Sequence, residues 1–203
     1  MLSGVLLHPR AEHAHLSSMP LTPAPITTIE ELQSLPGDGL RHELLDGVHV
    51  VSPAPRPAHQ EVFGELFFAL KMTLKRRVDV SVFASPADII LGPKTLVQPD
   101  IFIVARTGGQ RIERWEDAGV PLLAIEILSP STAARDRGVK RHIYQRAGVT
   151  EYWIVDLDAR LVERWKPGDE RPEIVTGTLS WSLPGGAGGV IDLGDVFGAT
   201  ASE

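Results

Sequence analysis

The chain has 203 residues, a formal net charge of −6, 43% hydrophobic and 23% charged residues, and no cysteine. This balance suits one globular domain with extensions and a core that needs no covalent staples. It excludes disulfides and thiolate metal sites, so any metal must take oxygen or imidazole ligands, and the negative charge argues against a protein that coats nucleic acid without specificity.

No apolar run approaches the roughly 18 residues that a membrane helix needs. Residues 1–10 lack the basic-then-apolar order of a secretion signal. A cytoplasmic protein without membrane partners is expected. Residues 1–25 read as a disordered leader, in which His8, His13 and His15 belong to an unstructured tail. Met19, followed by Pro20, offers an alternative start. Residues 26–198 read as a single domain and 199–203 as a tail.

Thr28-Ile29-Glu30-Glu31-Leu32 predicts a short helix capped by Thr27 or Thr28. Asp46-Gly47, set between the apolar runs that follow Glu43, predicts a hairpin. Val62, Phe63, Leu66, Phe67, Leu70 and Leu74 recur with helical period inside a helix predicted from Ala58 to Arg77. Lys71, Lys75, Arg76 and Arg77 gather near its C-terminal end, where the helix dipole favours cations. Strands are predicted over 80–84, 87–91, 97–105 and 122–128, then a helix over about 132–147 stopped by Gly148. A strand over 151–155 follows. A hairpin then pairs 161–165 with 173–175, and a last apolar segment covers 190–197. This order suits an α/β fold, a mixed sheet with helices on its faces and a hairpin near each end.

Two acids stand out. Glu126 lies inside Leu122-Leu123-Ala124-Ile125-Glu126-Ile127-Leu128, a run that reads as a strand buried on both faces. An ionised carboxylate there costs several kcal/mol unless it is paired or bound to a cation, and the plain alternative is a buried ion pair with an arginine. Asp100 precedes the apolar Ile101-Phe102-Ile103-Val104, where Pro99-Asp100 could also be a simple turn. Two carboxylates on adjacent strands aimed at one point are stable chiefly with a cation between them or with one protonated. Asp136, Lys140 and Tyr144 are spaced i, i+4, i+8 and line one helix face. A surface Asp–Lys pair, or Asp136 as an N-cap, explains that spacing as well. Arg135, Arg137, Lys140, Arg141 and Arg146 make this stretch the best local phosphate-binding face. By spacing alone Glu43 reads as a solvated strand end and His59 as a helix-start residue.

Taken together, these residues resemble the restriction-endonuclease domains of the Uma type, within the PD-(D/E)XK nuclease superfamily. The resemblance rests on His42-Glu43-Leu44-Leu45-Asp46-Gly47, Val97-Gln98-Pro99-Asp100, Glu126-Ile127-Leu128-Ser129-Pro130-Ser131-Thr132, Asp136, Lys140, Tyr144 and the stretch from Ala147 to Asp156. It implies a restriction-endonuclease-like mixed β-sheet flanked by helices and a Mg²⁺- or Mn²⁺-dependent endonuclease acting on DNA. The resemblance further implies that Asp100 and Glu126 bind metal, with the Ile127 carbonyl as a further ligand and Glu43 as an extra acid. Leu128 stands where the superfamily pattern has its lysine, so Lys140 from the following helix is the implied substitute. Arg141, Tyr144 and His59 would hold substrate phosphates. Cleavage of both strands would suit a homodimer, although no segment reads as an interface. The alternative expectation is a catalytically silent nucleic-acid-binding or protein-interaction module on the same fold.

Overall fold

The computed structural model describes residues 25–198. The expectations for a disordered leader, its histidines, the start at Met19 and the tail fall on residues 1–24 and 199–203, outside that range.

Thr28 caps α1 (Ile29–Gln33) by accepting from the Glu31 N–H, and the Glu31 side chain closes the reciprocal half of a capping box. β1 (Arg41–Leu45) and β2 (Val48–Ser52) pair antiparallel. Asp46 at φ 51° and Gly47 at φ 85° form the two-residue turn between them. Positive φ at both positions matches the right-handed twist of the strands, and Asp-Gly accepts it at little cost. α2 (Pro57–Thr73) begins with a proline at its first turn, where the missing N–H is not needed. It ends at Thr73, short of the predicted Arg77. Arg77 is drawn instead to Asp79 and to the carbonyls of Gly185 and Gly186.

β3 (Val80–Ala84), β4 (Ile89–Gly92), β5 (Thr95–Val97) and β6 (Ile101–Ala105) follow. The single strand predicted over 97–105 is divided. β5 belongs to a four-stranded sheet ordered β2-β1-β5-β4, and β6 to a six-stranded one. Pro99 has no N–H to give to a ladder, so the chain changes sheet at Gln98-Pro99-Asp100. β7 (Leu123–Ile127) precedes a helix in three parts: α3 (Ala133–Arg135), a π-helical stretch (Asp136–Lys140) and α4 (Arg141–Ala147). Gly148 ends it at φ 81°. β8 (Glu151–Asp156), β9 (Leu161–Trp165) and β10 (Glu173–Val175) complete the six-stranded sheet, ordered β10-β9-β8-β7-β6-β3. β7 and β8 run parallel and the other neighbours antiparallel, so the sheet is mixed. A further hairpin, β11 (Thr178–Ser182) with β12 (Gly188–Asp192), leads into α5 (Leu193–Phe197).

The strand pleat sorts the large sheet into two buried faces. Ile101, Ile103, Leu123 and Ile125 pack against Val62, Leu66 and Leu70 of α2 and against the β11–β12 hairpin and α5. Phe102, Val104, Ala124 and Ile154 face the opposite way, onto the four-stranded sheet and α4. With both faces covered, β7 reads as a nearly continuous apolar run. Any polar side chain at an even position of β6 or β7 must lie between the two sheets. Among the described residues, no helix is long and apolar enough to cross a membrane.

Candidate active site

Glu126 occupies such a position in β7, and Asp100 the even position immediately before β6. Extending the β6–β7 register one step past Ile101↔Ile125 sets Asp100 beside Glu126 on the same face. Both are buried, at 3% and 2% exposure. Each is satisfied by a different cation.

Asp100 Oδ1 accepts from Arg41 Nη2 at 2.5 Å, and Oδ2 accepts from the Ile127 N–H at 2.7 Å and lies 3.2 Å from His59 Nε2. Burial pushes this carboxyl up, but the His59 contact and the Arg41 charge outweigh it and leave Asp100 at about 2. Glu126 is paired with a lysine, not an arginine. Lys140 Nζ sits 2.5 Å from its Oε1, which also accepts from the Tyr144 hydroxyl at 2.9 Å. Lys140 Nζ donates as well to Glu43 Oε1 at 2.8 Å, an oxygen that also accepts the Gln98 N–H. Burial, together with the charges of Asp100, Asp136 and Glu43, pushes Glu126 up to about 8 despite Lys140. Lys140 is held charged: burial opposes its charge, and Glu126, Glu43 and Asp136 overcome that cost. Two neighbouring acids are therefore driven in opposite directions.

The structure brings together Glu43, Asp100, Glu126, Lys140, Ile127 and His59. Glu43 is not a solvated strand end: its exposure is 0%, because the four-stranded sheet closes over the large one. The π-helical stretch matters for Lys140 and Tyr144. In an ideal α-helix, residues eight apart drift by about 80°, and a wider turn takes up part of that drift. Asp136, Lys140 and Tyr144 all end buried on the inner side, while the Tyr152 hydroxyl donates to the Asp136 carbonyl at the start of the wide turn. Asp136 is thus neither a surface partner nor a simple cap. Burial pushes its carboxyl up.

Tyr144 and Arg141 are each engaged with other groups of the protein. Tyr144 is fully buried and spends its hydroxyl on Glu126. Arg141 turns away, its guanidinium 4.5 Å from the centre of the Trp165 ring. The other arginines of the helix are engaged too: Arg135 with Ser52, Arg137 with Asp156 and Glu163, Arg146 with Asp46. The run is basic in sequence without forming one open basic face. Arg41 lies beyond the expected set, although it sits two residues from Glu43 and so shares a face with it. Arg41, His59 and Asp100 line an open cleft of about 480 Å³ walled by 52–56 and 129–132.

The donors suit a hard divalent ion: they are oxygens, mostly of carboxylates, with Glu43 Oε2 buried and without a hydrogen-bond partner. Among the described residues, no three acids or histidines form a ready-made cluster. The Lys140 ammonium stands between Glu43 and Glu126.

A family model, Uma2, described as "Putative restriction endonuclease", matches residues 29–190. A crystal structure described as that of "a putative nuclease belonging to DUF820" from Anabaena variabilis is similar in fold, with a TM-score of 0.69 at 20% identity. The match covers 84% of this chain and 97% of that one. No curated protein matches the chain.

Proposed function

Because the chain belongs to the Uma2 restriction-endonuclease family, we propose that it is a magnesium-dependent nuclease that hydrolyses phosphodiester bonds in DNA. The observation that carries this reading is the pairing of Asp100 with Glu126 on one buried face, with Lys140 Nζ 2.5 Å from Glu126. The lysine that the superfamily pattern would place at Leu128 is supplied by the helix instead. Leu128 itself packs into the apolar face.

Asp100 and Glu126 would hold Mg²⁺ or Mn²⁺, with the Ile127 carbonyl and Glu43 as further oxygens. A bound divalent ion supplies Lewis-acid polarisation of the phosphoryl group. Lys140, permanently charged and rigidly buried, places positive charge where negative charge builds on the phosphoryl oxygens. Tyr144 fixes the Glu126 carboxylate through its hydroxyl. Arg41 and His59, at the floor of the cleft, are the groups that an incoming phosphate meets first. Arg41 is partly exposed, so its guanidinium can exchange one anionic partner for another.

Plasmid cleavage in Mg²⁺ or Mn²⁺ tests the proposal, with Asp100→Ala and Glu126→Ala purified in parallel. Cleavage by the wild type alone supports it. Equal cleavage by all three proteins would assign the activity to a contaminant. A second reading is favoured by one observation: both acids already have cationic partners, Arg41 and Lys140. On that reading the fold is a silent nucleic-acid-binding module, and calorimetric titration with Mn²⁺ separates the two, because the silent module binds none.

A further inference from the structure

A second cleft lies away from the acids. It holds about 550 Å³ and lies against β3, the terminal strand of the six-stranded sheet, whose outer edge has no neighbouring strand. Its walls carry Lys71, Lys75, Arg77, Arg106 and Arg111 against one acid, Glu113. In a chain of net charge −6 this is a concentration of positive charge that the helix arginines, each engaged elsewhere, do not provide. Among the described residues, Arg77 is the one of these five that forms an ion pair, with Asp79. Arg106 bonds the Ser81 hydroxyl and Lys71 lies over the Phe67 ring.

The helix dipole accounts for Lys71 and Lys75 at the end of α2. It does not account for Arg106 and Arg111, which follow β6 and meet the lysines only in the folded protein. Five cations from two parts of the chain, held around an unpaired strand edge, match the requirement for a phosphodiester backbone: positive charge spread along a groove, with no base-reading chemistry needed.

We propose that this cleft is an auxiliary anchoring surface for the DNA backbone, separate from the acids. It rests on the nuclease reading for the identity of the polyanion. The spacing supports it. From His59 at the acids to Lys71 at the cleft is twelve residues of one helix, about 18 Å at 1.5 Å per residue. That is about five nucleotides at 3.4 Å each. α2 thus sets a fixed distance between the acids and the anchor.

The test is fluorescence anisotropy of the full chain with a labelled duplex of about 20 base pairs in EDTA, across a salt series. Lys71→Glu, Lys75→Glu and Arg111→Glu are combined in one variant, and Lys94→Glu, Lys166→Glu and Arg171→Glu in a control with the same net charge. The cleft variant is expected to bind at least tenfold more weakly. Its log–log salt slope should be shallower by about two to three, at roughly 0.9 for each phosphate no longer neutralised. The control should change little. Unchanged affinity and slope in the cleft variant, or an equal loss in the control, overturns the proposal. Thermal melts establish that both variants are folded, and since all six positions are exposed both should melt as the wild type does. Because binding is read without metal, it is independent of cleavage: a chain that binds through the cleft and cuts nothing refutes the nuclease reading alone.

Discussion

Glu126→Gln tests the electrostatics of the site in a way that a loss of activity cannot. The carboxyl is pushed from an ordinary 4.5 to about 8, chiefly by burial and then by the charges of Asp100, Asp136 and Glu43. An acid raised in the folded state binds its proton more tightly there than in the unfolded chain. Stability is therefore lost as pH rises from about 4.5 to about 8. At pH 7 the interval is about 2.5 pH units, and at 1.36 kcal/mol each this gives about 3 kcal/mol of destabilisation. Glutamine keeps the shape and can still accept from the Tyr144 hydroxyl and from Lys140, which retains Glu43 at 2.8 Å. In metal-free buffer the variant is expected to be more stable than the wild type at pH 7, by up to about 3 kcal/mol, and equal to it near pH 4. Urea melts at pH 4, 5.5, 7 and 8 measure the difference directly. Millimolar Mg²⁺ should then stabilise the wild type and not the variant. A variant less stable than the wild type at every pH, or a difference that does not vary with pH, would refute the account of Glu126 as a strained acid.

Asp100→Asn should behave in the opposite sense. Its folded-state value of about 2 lies below the ordinary 3.8, so it contributes about 2 kcal/mol above pH 4, lost as pH falls from about 4 towards 2; the wild type should exceed the variant at neutral pH, with the gap closing in acid melts. Lys140→Met leaves Glu43 and Glu126 buried without their shared cation, and loss of about 3–5 kcal/mol is expected by denaturant unfolding; retention of wild-type stability would show that the acids relax to water instead. Far from the acids, Arg164 grips Glu151 through two hydrogen bonds of 2.8 and 2.9 Å, and Trp153 donates to the same carboxylate. Glu151→Ala should cost about 3–5 kcal/mol while cleavage per folded molecule, measured well below the melting temperature, stays unchanged.

The sequence by itself determined the two acids and most of the elements around them. A charge inside an unbroken apolar strand is anomalous wherever that strand goes, so Glu126 was legible from seven consecutive residues, and the Asp46-Gly47 turn, the Thr28 cap and the Gly148 stop are local conformational requirements. Only the tertiary structure decided which cation meets which acid. Arg41 and Asp100 are 59 residues apart, and Lys140 and Glu43 are 97 apart, joined because Pro99 sends the chain from one sheet to another and the smaller sheet then covers the larger. For the same reason Glu43 is buried, and the arginines of the helix, basic as a string, are dispersed among Trp165 and separate carboxylates. The cations near β3 converge although two separate parts of the chain supply them. Backbone preferences and burial act within a few residues and can be read along the chain. Charge pairing depends on distance in space, which sequence separation does not fix.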